Sequence, residues 1–390
     1  MILGGVLTPI YKFSQNIPNY LLTWEKSYNT NIGIDAAFLN NRIDVSMEYY
    51  NTKDVIWNKA LPVINGAFSP DGGPKANYTT NLNMCETSNK GFELALNTRN
   101  IITKNFTWSS SVTFNHNKEK ITKLSGGDSD VLNNGDTGYA LALGEAINSY
   151  YHYKLDGVWQ KGEETDAAVF GAAPGDLKIN IPNLVKESDG RFYKIDEETG
   201  SAAVDENGNV IYYTSDNKYT PSDADYQILG HNSPDWSLGF QNNFTWKDFD
   251  LSVFVYARYG QMFAYDMLTS YDPKGIRNFP TYFNYWTENN PSNDFPAANA
   301  NKGLEQYTGY YALRYVDGSF IKIKNITLGY SLPKSILKSA GIEKCRFYAT
   351  ITNPFVFAKS HLLKDYDPEM NGSLKYPLTK QFVFGVNVTF

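Results

Sequence analysis

The chain has 390 residues, with 35 Lys plus Arg against 41 Asp plus Glu for a net charge of −6, and only 19% of it is charged. An aromatic content of 15%, from 29 Tyr, 23 Phe and 7 Trp, is too high for a disordered chain, and the mildly acidic balance lacks the basic footprint of a nucleic-acid binder. Two cysteines, Cys85 and Cys345, build no disulfide framework at this length and are expected to be free; a mean hydropathy of −0.42, with no apolar run near the ~20 residues of a spanning helix, excludes a helical membrane protein but not a β-barrel.

The first residues, MILGGVLTPIYKF, have no basic start and no small-residue cleavage site, so they make a poor signal peptide and any export signal is expected outside this chain. Period-2 alternation then begins, placing alternate side chains on opposite faces of a strand. In NIGIDAAF, Ile32, Ile34, Ala36 and Phe38 oppose Asn31, Gly33 and Asp35. In RIDVSMEYY, Ile43, Val45, Met47 and Tyr49 oppose Asp44, Ser46 and Glu48. GFELALN sets Phe92, Leu94 and Leu96 against Glu93 and Asn97, and FTWSSSVTFN sets Phe106, Trp108, Val112 and Phe114 against Ser, Thr and Asn. SYYHYKLDG is a weaker member; DWSLGFQNNFTW, FDLSVFVYARYG, NITLGYSL and CRFYATIT continue the pattern. The last segment, QFVFGVNVTF, turns Phe382, Phe384, Val386, Val388 and Phe390 one way.

These segments predict about ten strands. Links such as 38–42, 98–105 and 246–250 are short, whereas 160–234 and 261–319 are long and rich in Gly, Pro, Asn and Asp. Short turns at one end and long loops at the other match a membrane barrel better than a soluble sandwich, whose strands average nearer five or six residues. The polar face then becomes the lumen, lined by Asp35, Asp44, Glu48, Glu93 and Arg258, and the rings of Phe38, Tyr49, Trp108, Trp246 and Tyr330 fit interfacial girdles. With the short links at the inner end, the strand at 30–38 and the last strand run the same way, so the count from one to the other must be odd. Ten strands leave one to find, and GDLKINIP (175–182) is the candidate, giving eleven. An odd number does not close a bacterial single-chain barrel, so the chain is expected to be part of a larger one.

Enzyme signals are weak. His116, His152, His231 and His361 are scattered without metal-ligand spacing, and there is no GxSxG elbow, P-loop or CxxC. Asp205, Asn207 and Asn209 imitate the start of a calcium loop, but Val210 stands where that loop turns on Gly, so a hairpin turn is the better reading. No metal or cofactor is expected. Long-loop aromatics are the candidates for ligand contact, because rings stack on sugar faces and cover apolar peptide side chains. The densest group is Tyr271, Phe279, Tyr282, Phe283, Tyr285 and Trp286, and packing inside the loop is the competing reading for it.

Several segments, taken together and in order, resemble the C-terminal half of SusC/RagA-type TonB-linked outer-membrane proteins. They are LTWEKSYNTNIGIDAAFLNNRIDVSMEYYNTKDVIW (22–57), SNKGFELALNTRN (88–100), APGDLKI (173–179), ILGHNSPDWSLGFQNNFTWKDFDLSVFVYARYGQ (228–261), GSFIKIKNITLGYSLPKSIL (318–337) and YDPEMNGSLKYPLTKQFVFGVNVTF (366–390). The resemblance implies an all-β, antiparallel transmembrane barrel segment of about 11 strands from a 22-stranded barrel, occupying residues 1–390, with plug domain, TonB box and signal peptide absent. It also implies a place in the outer membrane among lipid, a SusD-like surface lipoprotein as lid, and coupling to the TonB complex through the missing N-terminal region. The expected function is import of an oligosaccharide, with oligopeptide second; a secreted glycan-binding module and an inactive barrel fragment are the alternatives. Phe382, Phe384 and Phe390 read as a terminal signal for the barrel-assembly machinery. Where the family continues after GDLKI with an Asp/Asn/Gly-rich run, this chain departs from it. Residues 183–227 are expected to form an extracellular loop insertion with a β-hairpin, Arg191–Ile195 against Val210–Thr214, capped by Asn207-Gly208.

Overall fold

The computed structural model describes residues 2–3, 6–7, 16–65, 77–124, 131–133, 139–197, 199–270, 274, 281, 283–338 and 341–390. The alternating segments become one antiparallel sheet in which nine strands follow one another in chain order. They are β1 (Lys26–Phe38), β2 (Ile43–Asn65), β3 (Asn77–Ile102), β4 (Phe106–Leu124), β5 (Trp236–Trp246), β6 (Phe249–Tyr259), β7 (Phe320–Ser331), β8 (Lys344–Ala358) and β9 (Gln381–Thr389). Asn16–Ile17 adds a short parallel strand beside β3. β5 and β6 have 11 residues and β1 has 13, enough for the ~9–11 residues of a tilted membrane strand.

The register carries the alternation across the whole wall. One row reads Ala36, Val45, Leu96, Val112, Phe240, Val255, Ile323, Phe355 from β1 to β8. The next row, one residue away, reads Asp35, Ser46, Ala95, Thr113, Gly239, Tyr256, Lys322. Because a one-residue slip would exchange the two faces, agreement over so many strands fixes the pairing. On the apolar face Ile34 is 59% exposed, Leu328 52% and Phe384 80%. The tight link between β1 and β2 places Leu39, Asn40 and Asn41 in left-handed conformation, which suits the two asparagines better than the leucine.

Two expected wall strands lie elsewhere. In the SYYHYKLDG segment, Ser149–His152 pairs with Gln227–His231 and Tyr139–Ala142, while Lys154–Val158 pairs with Leu177–Asn180 of GDLKINIP in a separate two-stranded sheet. These pieces have four or five residues, too few to cross a bilayer. Gly157 interrupts the second at φ 100, where a Cβ would sit 2.6 Å from the Asn293 side chain. With these segments removed, the wall among the described residues holds nine strands, an odd number that meets the parity condition without an eleventh.

The main hydrophobic core lies among the long loops, not in the wall. Val158, Leu177, Phe263, Leu268, Phe283, Trp286, Phe295, Tyr310, Leu313 and Leu363 form one buried cluster drawn from 139–235, 260–319 and 359–380. Cys85, Ile121 and Leu141 make a smaller cluster joining β3 and β4 to these loops. Both cysteines are buried and unpaired with each other.

The insertion forms only the outer part of its expected hairpin. Leu184–Lys186 pairs with Phe192–Lys194; Phe192 bridges Tyr213 antiparallel, Arg191 lies 3.8 Å over the Tyr212 ring and Tyr193 packs edge-on against it, whereas Ile195 bridges Ala202 instead. Asp205 accepts from the backbone N–H of Asn207 and Asn209 at 2.9 Å each, so Asn207-Gly208 closes a small local turn bounded by the Val204–Val210 bridge. A side chain that satisfies two backbone donors within its own turn removes the need for a long ladder.

Candidate functional site: the polar face and the loop platform

Residues that alternate with the apolar rows gather on one face of the wall. Glu48 lies directly opposite Glu93, in a row continuing through Asn115, Ser237 and Arg258. Like charges facing each other across strands are unfavourable unless solvated or hydrogen-bonded. Here the Asn31 side-chain amide donates to Glu48, and Asn115 donates to Glu93 at 3.0 Å. Beside them the Tyr50 hydroxyl donates to Asn117 at 2.7 Å. Glu48, Glu93, Thr113, Asn115, Ser237 and Tyr256 line an open cleft of about 320 Å³. Asp35 and Asp44 stand exposed on the same face. Arg258 is tied down, donating to the Tyr256 hydroxyl at 2.7 Å and to Asn371 at 3.3 Å. All five polar residues singled out in the sequence therefore share the face opposite the apolar rows.

The aromatic candidates separate. Tyr271, Phe279 and Tyr282 lie outside the described residues. Phe283 and Trp286 are 4% and 8% exposed in the loop core, which corrects the expectation that they offer ligand-stacking surface. Phe283 stacks on Phe295 with centroids 4.3 Å apart, and the Trp286 indole N–H donates to the Gln160 side chain at 2.9 Å. A dense run of rings in a long loop had more apolar area to bury than one chain segment can cover alone, and 160–177 and 295–316 cover it. Tyr285 remains 41% exposed. Phe382, Phe384 and Phe390 are 67%, 80% and 87% exposed, with Phe382 and Phe384 in the apolar rows opposite Ile351 and Ala349.

The insertion is anchored by one buried carboxylate. Asp225, fully buried, receives Lys194 Nζ at 2.6 Å, the Tyr219 hydroxyl at 2.6 Å and the Ser222 N–H at 2.9 Å. Burial alone would raise its pKa, but those hydrogen bonds and the Lys194 charge bring it below the ordinary carboxylate range. The Tyr219 hydroxyl is pushed up to about 12 by burial and by Asp225.

Lys322 and Lys324, not singled out in the sequence, are the polar-face residues with the most elaborate surroundings. Alternation continued through FIKIKNITL places Lys322 on the polar face. Its partners, Asp367 and Glu369 in YDPEMN, carry no local signal of that pairing.

The segregated faces and the folded loops at one end define an antiparallel wall of the membrane-barrel type. Residues 6–180 match the family model described as TonB dependent receptor-like, beta-barrel. Over 95% of its length the chain is 28% identical to TonB-dependent receptor P3 of Formosa agariphila, covering 34% of that protein. It is 27% identical over 95% of its length to TonB-dependent receptor SusC of Bacteroides thetaiotaomicron, covering 32% of it. The structure of the RagAB peptide transporter superposes with a TM-score of 0.65 at 24% identity, over 95% of this chain and 36% of that one, a likeness of fold. The chain is thus similar to TonB-dependent receptors of this type along nearly its whole length, and it spans about a third of the length of these curated relatives.

Proposed function

We propose that the chain forms part of an outer-membrane import barrel, energised through TonB, that takes up an oligosaccharide or, as second choice, an oligopeptide together with a SusD-like lipoprotein. The observation that carries this reading is the nine-strand register, which keeps a continuous, exposed apolar face on one side and a polar face on the other. A row of Ile, Leu, Val and Phe at such exposure is costly in water and favourable against lipid. The polar face is then the lumen, with Asp35, Asp44, Glu48, Glu93 and Arg258 along the cargo path and Tyr285 as an exposed ring near its mouth. Phe382, Phe384 and Phe390 serve barrel assembly. Passage needs differential binding rather than bond chemistry, so no catalytic residue is assigned.

Charge narrows the cargo. Residues 183–227 hold ten Asp and Glu against four Lys and Arg, a net −6 that equals the net charge of the whole chain. An acidic rim repels polyanions, which favours neutral or cationic cargo.

The test is fractionation followed by growth. The native polypeptide should require detergent for release from outer membranes, and its deletion should abolish growth on a neutral oligosaccharide or a peptide mixture as sole nutrient. Recovery as a soluble secreted protein would favour the rival reading, a glycan-binding module. Recovery in membranes without any growth defect would favour the inactive fragment.

A further inference from the structure

Lys322 is fully buried, although it projects from the polar face of β7. A buried ammonium persists only when paired and hydrogen-bonded. Its partners come from the loop between β8 and β9: Asp367 at 2.5 Å and Glu369 at 2.8 Å, with Lys324 reaching the other oxygen of Glu369 at 2.6 Å. Burial alone would raise the Glu369 pKa; the two lysines hold it below the ordinary range instead. Asp367 also caps the short turn Pro368–Met370, accepting from the Glu369 N–H at 3.1 Å.

The same loop is stitched to the platform on its other side. Asn371, left-handed at φ 52, accepts from Gln261, itself 2% exposed, at 2.7 Å and from Arg258 at 3.3 Å. Gly372 passes so close to residue 264 that a Cβ would lie 2.0 Å from the Ala264 carbonyl oxygen. Tyr366 packs on Tyr265 with centroids 4.3 Å apart, and Leu363, 1% exposed, enters the loop core. His361 Nε2 lies 2.9 Å from Asp294.

We infer that residues 361–373 are a fixed strut, folded across the polar face and locked by Lys322, that makes the wall and the platform segments 260–270 and 283–319 move as one body. A mobile lid requires contacts that open at low cost; this segment has ion pairs on one side and packed rings on the other. On the import reading, on which it rests only for the identity of the lumen, the strut is a constant part of the mouth's aperture. Conformational opening must then use other loops.

Hydrogen exchange on the full polypeptide in native outer membranes tests this. Amides of 361–373 should exchange as slowly as those of β6 and β7, and at least about tenfold more slowly than the exposed turn 205–209. Lys322→Met should speed exchange in 361–373 by about tenfold, leaving β1–β4 unchanged, and Glu369→Gln should speed it by about threefold. Wild-type exchange as fast as at 205–209, or no change in Lys322→Met, overturns the strut. Should Lys322→Met not assemble, unchanged exchange in Glu369→Gln overturns it. None of these readouts measures uptake, so a failure of the import reading would show separately, as absent growth defects with the strut's protection intact.

Discussion

The wall and the loop platform are built from the same aromatic-rich composition by opposite means. Wall strands satisfy their backbones in a long ladder and leave their largest side chains outside: Phe382, Phe384 and Ile34 are each more than half exposed. Among the described residues the platform's strands have three to five residues, yet it contains Phe263 and Leu268 at 0% exposure and the main buried cluster. On the import reading, one region takes its apolar environment from surrounding lipid, and the other makes its own. Mutations should therefore fail differently in the two regions.

The largest effect is expected in the platform. Phe263→Ala removes a fully buried ring that abuts Gly318 and Tyr366, at a cost of about 3–5 kcal/mol. Thermal unfolding followed by exchange should show the platform melting well below the wild type, while exchange in β5–β8 stays as slow as in the wild type. Next comes the wall's apolar face. Ile34→Arg places a charge in a row that faces lipid on the import reading, costing about 2–4 kcal/mol near the bilayer centre. Membrane-assembled protein should fall sharply, with the platform's melting unchanged in what remains. Equal sensitivity of both regions to both substitutions would remove the distinction.

What could be read from the sequence follows the same division. Period-2 alternation is a local property, and each wall strand pairs with its neighbour in chain order, so the faces of Asp35, Glu48 and Glu93 were legible. Platform contacts are not local: Gln160 holds Trp286 across 126 residues and Lys322 holds Glu369 across 47. The rings of Phe283 and Trp286 read equally well as ligand surface or as core, because composition does not say which segment will cover them. SYYHYKLDG alternates as a wall strand does, yet Tyr150 and Tyr153 are buried at 3% and 8%. Its short runs and the left-handed Gly157 distinguish it, and the glycine's backbone angle is not visible in the sequence.

A third substitution probes whether the insertion depends on chemistry the wall lacks. Asp225→Asn leaves Lys194 and Tyr219 without their carboxylate and should cost about 2 kcal/mol, the range for hydrogen bonds to a charged group. Limited proteolysis of 184–226 reads it. The pH dependence has a definite sign. A carboxylate whose folded pKa lies below its unfolded value stabilises above the unfolded value and loses that contribution as pH falls through the folded one. Protection of the insertion should thus hold from neutral pH to about 4, the ordinary carboxylate value, and fade below it. In Asp225→Asn that acid transition should disappear.

The smallest effect is the sharpest test of the wall. Asp35 is adjacent to Ile34 in sequence but belongs to the other face, in the row of Ser46, Ala95 and Thr113. It is exposed and has no ion-pair partner among the described residues. Asp35→Asn keeps its size and hydrogen-bonding capacity, so assembly should change by less than about 0.5 kcal/mol, against several-fold loss for Ile34→Arg. If Asp35 lines the cargo path, its removal should alter uptake of a cationic probe peptide without altering the amount of assembled protein. A substitution at Asp35 that blocked assembly as Ile34→Arg does would mean that this strand does not hold its two faces apart, and with it the register argument for a lumen would fall.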